Sequence, residues 1–215
     1  MEAVYCLYAG LAREMDAETG LGGMLLYAGE PDEAGCRLLR AGNIAGTASL
    51  ASSADAAALR RAMHQGAIDF VVTSLDEALR ILKNQVRKKQ PVAVGVSLMP
   101  EVVMREMVER GVQPDLVAPE ARGVADFVAR GARIAEALAL DASKRFQLFA
   151  IPKDWKQPAS AFDALLLEGL ADDDHLNRRW VRLATRYLPA ASRRVRLVVG
   201  DCERLSVLGS RLSGD

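Results

Sequence analysis

A glycine-rich turn that holds the phosphates of a nucleotide is the first chemistry that the sequence suggests. The run Gly20-Leu-Gly-Gly-Met24 has a fitting composition. A phosphate-binding turn, however, follows a strand and opens a helix. This run follows a predicted helix (residues 1–16) and precedes an apolar predicted strand (residues 24–28). We interpret it as a flexible connection between the two.

A second segment, Gly29-Glu-Pro-Asp-Glu-Ala-Gly35, has the right position, because it follows that strand and opens a helix to about Ala45. Its polar side chains are the carboxylates of Glu30, Asp32 and Glu33. Two like charges about 4 Å apart cost about 4 kcal/mol at an effective dielectric near 20. An anion gains only about 0.3–1 kcal/mol from a helix end. The sequence therefore argues against dinucleotide binding at this turn.

Arginine is concentrated near the C-terminus, and the cluster comprises Arg178, Arg179, Arg182, Arg186, Arg193, Arg194 and Arg196. Two interpretations stay open: a solvated helix face with an edge strand, or a site for phosphate or an acidic partner. No glycine loop accompanies the cluster, and we expect no nucleic-acid binding. His64 has no acidic or cysteine partner in sequence, and we expect a structural role for it.

Composition narrows the class of protein. The 215 residues are half apolar, and 28 basic side chains balance 28 acidic ones, so no net field favours nucleic acid or an anionic membrane. Cys6, Cys36 and Cys202 are far apart and lack metal-ligand spacing, which fits a reducing cytoplasm. Neither a signal peptide nor a membrane span is predicted.

The order of elements predicts the fold class. Residues 68–117 read strand, helix, strand, helix, strand, with strands at 68–72, 92–98 and from Pro114. Ser74 and Glu77 form a capping box, while Pro100 and Gly111 mark the start and end of the next helix. Strands that alternate with helices this closely need crossover connections. We therefore predict an α/β fold with a mainly parallel sheet covered by helices.

The flanking regions complete the prediction. We expect a strand at 47–51, helix over 121–140 with a break at Gly131, and strands at 145–151 and 193–199. The 68–72 strand is expected to be buried on both faces, and the last strand to be an edge with one wet face. Residues 1–140 are predicted to form one domain, with 141–215 as an α/β extension packed on it.

Three segments of the centre resemble a known family: Leu75-Asp-Glu-Ala-Leu79, Pro91-Val-Ala-Val-Gly95 and Glu109-Arg-Gly-Val-Gln-Pro-Asp-Leu-Val117. They are similar to the Rossmann-like, NAD-carrying domain of urocanate hydratase (urocanase), and the resemblance covers residues 24–120. It implies a three-layer Rossmann-like fold with helices on both faces of the sheet. It also implies a lyase that hydrates urocanate in histidine breakdown, with NAD as an electrophile and a second subunit as partner.

The chain departs from the family pattern at three strand ends. The family's glycine-rich turn falls on Glu30-Pro-Asp-Glu-Ala34, its Gly-Asn pair on Leu98-Met99, and its Asp-Gln-Thr-Ser on Pro119-Glu-Ala-Arg122. The larger catalytic core that supplies the family's Cys and Asp is not found in these 215 residues. The pattern suggests a scaffold that is kept and a cofactor site that is abandoned or replaced.

Three functions are therefore weighed. The first, which we prefer, is a non-catalytic module that binds a small molecule or a protein partner and needs no cofactor. The second is a related lyase that retains NAD in an altered mode, and the third is an interaction domain using the Trp180 helix or the arginine-rich edge; a homodimer stays open. The candidate site is the crevice at the strand ends, with Gly29, Glu30, Ser52, Ser74, Ser97, Met99 and Glu120.

Overall fold

A computed structural model describes residues 1–16 and 19–213 of the chain. The chain divides into two compact units, one formed by residues 7–138 and the other by residues 1–6 with 139–215. Within the described residues, no helix is long and apolar enough to cross a membrane.

The larger unit is built on a six-stranded sheet in the order β3-β4-β2-β1-β5-β6. Its strands are β1 (Leu25–Gly29), β2 (Ala48–Ser52), β3 (Phe70–Val72), β4 (Val92–Val96), β5 (Leu116–Val117) and β6 (Arg133–Ile134). Every pairing between these neighbours is parallel. The predicted parallel sheet is confirmed.

The chain begins with α1 (Glu2–Leu11). The helices that follow alternate with the strands along the chain: α2 (Glu33–Ala45), α3 (Ala56–His64), α4 (Leu75–Lys88), α5 (Pro100–Glu109) and α6 (Val124–Ala129). Right-handed crossovers place α2 and α3 on one face and α4, α5 and α6 on the other. The result is the three-layer Rossmann-like architecture that the sequence predicted.

Local signals fix the ends of several elements. The Ser74 hydroxyl accepts the backbone N–H of Glu77 at 3.3 Å, which caps α4 as predicted. Pro100 is the first residue of α5, where its missing N–H costs nothing. Gly111 follows α5 with φ of 64°, a conformation that other residues adopt only with strain.

Two expectations about this unit are corrected. β3 is not buried on both faces: it lies at the sheet edge, and Phe70 is 51% exposed. β4 is inserted between β3 and β2, an order that chain sequence does not reveal. The predicted helix over 121–140 is also too long, because α6 ends at Ala129, Gly131 turns with φ of 105°, and β6 then joins the sheet.

The smaller unit contains an antiparallel pair, β7 (Arg145–Ala150) and β8 (Val195–Gly200). Three helices belong to it: α7 (Ala159–Gly169), α8 (His175–Tyr187) and α9 (Cys202–Ser213), the last of which was not predicted. Its apolar core includes Phe149, Phe162, Leu166, Val181 and Val198. The expected wet face of the last strand is wrong at Arg196, which is buried and paired with Asp163.

Candidate functional site

The turn after β1 is closed by its own hydrogen bonds. Asp32 caps α2: its Oδ1 accepts the N–H of Gly35 at 2.8 Å, and its carbonyl accepts that of Cys36 at 2.9 Å. Pro31 has no N–H to offer. The backbone donors that a helix start could present to an anion are therefore partly used and partly missing.

Gly35 lets this turn fold back onto the first turn of α2. A Cβ atom at Gly35 would lie 1.9 Å from the carbonyl oxygen of Glu30. The space above the helix start is thus filled by backbone of the turn, where a phosphate-binding loop would leave it open.

The charges at the same turn are negative. Glu30, Asp32 and Glu33 are all exposed there, and Glu33 pairs with Arg37 one helical turn further on. A pyrophosphate at this turn would meet carboxylates and a proline instead of free amides.

A cavity of about 570 Å³ lies between α2 and α3. We call it the α2–α3 groove. Its lining residues come from the starts and facing sides of the two helices: Glu30, Pro31, Asp32, Glu33, Cys36, Arg37, Arg40, Ser53, Asp55, Ala58, Arg61, Ala62 and Gln65. The volume is in the range that holds small organic ligands.

Arg40 is the unusual member of this lining. It is only 7% exposed, and its Nε has no hydrogen-bond partner within residues 1–16 and 19–213. One terminal nitrogen donates to Gln65, at 3.3 Å to the backbone oxygen and 3.5 Å to Oε1. No carboxylate of the described chain lies within 4 Å of the guanidinium. A buried guanidinium without a counter-charge is costly unless something neutralises it.

The other two arginines of the groove already have partners. Arg37 pairs with Glu33, and Arg61 lies 3.4 Å from Asp55. Asp55 also caps α3, and the N–H groups of Ala58 and Ala57, helped by Arg61, lower the pKa of its carboxyl group. Arg40 is therefore the arginine of the groove whose charge is left for a ligand.

Cys36 lies beside Arg40 on the wall of the groove. Its thiol donates to the carbonyl oxygen of Pro31 at 3.3 Å. Burial raises the pKa of the Cys36 thiol, although the Arg40 charge opposes the shift. The thiol is held protonated near neutral pH, which suits a wall residue better than a nucleophile.

Tyr27 is a buried residue of β1, and its side chain lies against the end of β2 and the start of α5. Its hydroxyl lies 3.5 Å from the Ser52 hydroxyl and donates to the Pro100 carbonyl at 3.5 Å. Burial raises the pKa of Tyr27, so the phenol stays neutral. The part of the strand-end crevice next to Ser52 is thus filled by the Tyr27 side chain.

The seven residues predicted for the crevice lie at or after the ends of parallel strands, or at the starts of the helices that come next. Gly29 is buried with φ of 71°, and Ser52 is fully buried against Tyr27. Ser74 caps α4, as described above. Glu30 is the one member of the seven that lines the α2–α3 groove.

The remaining three lie elsewhere along the same edge. The Ser97 N–H donates to the Val72 carbonyl at 2.9 Å. Met99 is 54% exposed at the start of α5, and Glu120 is exposed in the turn after β5. The structure does not bring these three side chains to the groove.

Sequence reasoning did not single out Arg40. The available signal was a charged residue on the otherwise buried side of α2, four positions after Cys36 and one after Leu39. A charged side chain at such a buried position needs a counter-charge or a hydrogen-bond partner, and the sequence alone does not identify that partner.

Two other cavities lie elsewhere in the described part of the chain. One of about 600 Å³ lies along α4 and the segment that follows α5, and it is lined by exposed basic residues including Arg80, Lys83 and Arg87. One of about 530 Å³ lies in the smaller unit beside β8 and α9. Neither is lined by a buried side-chain polar atom that lacks a partner in the described part of the chain. The α2–α3 groove is therefore the better candidate.

The arginine cluster of the smaller unit is dispersed by the fold. Arg178 donates to the carbonyl oxygens of Leu167 and Leu170 at the end of α7, at 2.9 and 3.0 Å. Arg194 donates to the Pro152 carbonyl at 2.6 Å. Trp180, expected as a contact surface, is 1% exposed and packs edge-on against Tyr5. Several of these side chains hold the unit together.

A parallel sheet whose strands alternate with helices defines a Rossmann-like α/β domain. Residues 5–146 match the family model described as the urocanase Rossmann-like domain. The chain therefore belongs to the urocanase family. The match extends on both sides of the range 24–120 that carried the resemblance in the sequence.

Proposed function

We propose that this chain is a non-catalytic member of the urocanase family that binds a small anionic molecule in the α2–α3 groove. The observation that carries the proposal is Arg40, a buried guanidinium on the wall of a ligand-sized cavity with an unpartnered Nε. A carboxylate or phosphate group that reached the terminal nitrogens of this guanidinium would form charge-assisted hydrogen bonds and remove the cost of an unpaired buried charge.

The turn after β1 supports a role without the family's cofactor. Glu30, Asp32 and Glu33 place negative charge where the pyrophosphate of NAD would lie, and Pro31 and the Asp32 cap reduce the available amides. We propose that NAD is not held there in the family's manner, and that the scaffold serves binding instead of hydration of urocanate.

Thermal unfolding with two classes of probe tests this function. Inorganic phosphate and short monocarboxylates such as butanoate and hexanoate are compared with NAD. A ligand at ten times its Kd stabilises a protein by about 1.4 kcal/mol, or about 3–6 °C for a chain of this size. We expect a rise of this size with at least one simple anion, and none with NAD.

Variants assign the effect to the groove. Arg40→Gln is expected to abolish the anion-dependent rise, whereas Arg80→Gln on the exposed face of α4 leaves it unchanged. Backbone chemical shifts of the unmodified chain give a readout that needs no variant, and titration with the anion should move the amides of α2 and α3. An NAD-dependent rise that survives Arg40→Gln would support the lyase alternative and overturn this proposal.

A further inference from the structure

The α2–α3 groove is electrically polarised along its length. Both helices begin at the carboxyl ends of neighbouring parallel strands, β1 and β2, so both run away from the same sheet edge. The carboxylates that line the groove sit at that edge, on Glu30, Asp32, Glu33 and Asp55. Arg40 and Gln65 lie further along the helices.

Ion pairing among the described residues of the groove leaves two carboxylates, Glu30 and Asp32, and one guanidinium, Arg40, without an opposite charge. Glu33 pairs with Arg37, Asp55 pairs with Arg61, and the Asp32 carboxylate accepts the N–H of Gly35. Within residues 1–16 and 19–213, no hydrogen bond or ion pair involves the side chain of Glu30, and no carboxylate neutralises Arg40. The groove thus presents an available carboxylate at its strand-end mouth and an available guanidinium deeper in.

The spacing of these two charges sets the size of a matching ligand. From Glu33, the first residue of α2, to Arg40 the helix axis rises by about 10 Å. The Arg40 guanidinium donates to Gln65 at the end of α3, so it lies toward the far end of the groove from Glu30. A compact molecule whose main chain has about six to eight non-hydrogen atoms spans such a gap.

We propose that the ligand of the groove is a dipolar small molecule, with a carboxylate bound at Arg40 and a cationic amino group directed to Glu30. This inference rests on the proposed function and narrows it to one chemical class. A dicarboxylate of the same length would place its second charge among four carboxylates, and a plain monocarboxylate would leave Glu30 without a partner.

Calorimetric titration of the full chain with matched probes tests the ligand class. The amino acids 4-aminobutanoate, 6-aminohexanoate and 8-aminooctanoate are compared with butanoate, hexanoate and octanoate, and with the dicarboxylate adipate. We expect one of the three amino acids to bind about tenfold more tightly than its matched monocarboxylate, and adipate to bind more weakly than both.

Glu30→Gln separates this inference from the proposed function. Glu30 is exposed and outside the helix, so its replacement leaves the fold intact, and Glu109→Gln on α5 is a matched exposed control. We expect Glu30→Gln to remove the preference for the amino acid while monocarboxylate binding persists. Equal binding of amino acid and monocarboxylate, or tighter binding of adipate, overturns the dipolar ligand only. If no carboxylate binds but phosphate binds in an Arg40-dependent way, only the dipolar ligand is overturned. A failure of phosphate as well overturns the proposed function.

Discussion

The side-chain amide of Asn177 pairs with both backbone groups of Val199. Its Oδ1 accepts the Val199 N–H at 3.0 Å, and its Nδ2 donates to the Val199 carbonyl at 2.7 Å. The same amide accepts from the Tyr5 hydroxyl at 3.2 Å and donates to Asp174 at 2.8 Å. A side chain on α8 thus makes the hydrogen bonds to β8 that a neighbouring strand would make. All four hydrogen-bonding positions of the buried amide are used.

Asn177→Ala is therefore expected to destabilise the smaller unit by about 2–4 kcal/mol, because it leaves a buried N–H and a buried C=O unpaired. Asn177→Leu restores volume but not the hydrogen bonds, so it should not rescue stability. Urea unfolding followed by circular dichroism measures both. Arg182→Ala, at an exposed site on the same helix, is the control, and full rescue by leucine would show that packing alone matters.

The ion pair of Arg196 and Asp163 is expected to behave as a buried pair. Arg196 is 4% exposed, and its NH2 nitrogen lies 3.1 Å from Asp163 Oδ2. Asp163→Ala leaves the guanidinium buried without a counter-charge, and we expect a loss of about 3–5 kcal/mol in unfolding free energy.

Replacing both members of this pair gives the discriminating measurement. Arg196→Met with Asp163→Leu removes both charges, and the double variant should be more stable than Asp163→Ala alone. Glu109→Ala breaks the exposed pair with Arg105 and should change stability by less than about 1 kcal/mol. Equal losses at the buried and exposed sites would contradict the assigned burial.

Gly35 is expected to be intolerant of a side chain although it lies in a helix. An alanine there would gain about 1 kcal/mol of helix propensity, but its Cβ would meet the Glu30 carbonyl at 1.9 Å and force the turn to move. We expect a net loss of stability for Gly35→Ala. In α9, a Cβ at Gly209 has no described atom within 4 Å, so Gly209→Ala should stabilise by up to about 1 kcal/mol. Thermal unfolding of the two variants compares the sites, and stabilisation at both would disprove the close approach.

Asp55 is expected to contribute to stability only while it is ionised. Hydrogen bonds from the N–H groups of Ala58 and Ala57 lower its pKa in the folded chain below the value in the unfolded chain, which is about 3.9. The contribution is therefore present above that unfolded value and is lost as pH falls through the lower folded value. Unfolding of the wild-type chain and of Asp55→Asn, measured from pH 7 down to pH 3, should show their difference shrinking below about pH 4. A difference that is constant with pH would contradict the prediction.

Local sequence determined much of the fold. The strands at β1, β2 and β4 were visible as short apolar runs, and the ends of α4 and α5 as a serine cap, a proline and a glycine. These signals depend on hydrogen bonds and dihedral angles within a few residues, so they can be read without tertiary contacts. The acidic turn at Glu30 was also predicted from sequence.

Tertiary structure decided the rest. Only the fold placed β4 between β3 and β2, which put Phe70 at an exposed edge, and only the packing of α3 beside α2 enclosed Arg40. Arg196 was likewise expected on the wet face of an edge strand, yet it is buried and paired with Asp163. Asn177 is also buried, and its partner Val199 is far away in sequence. The physical reason is that the periodicity of a segment fixes which residues share a face, whereas the partner of that face is chosen by crossovers and long-range packing.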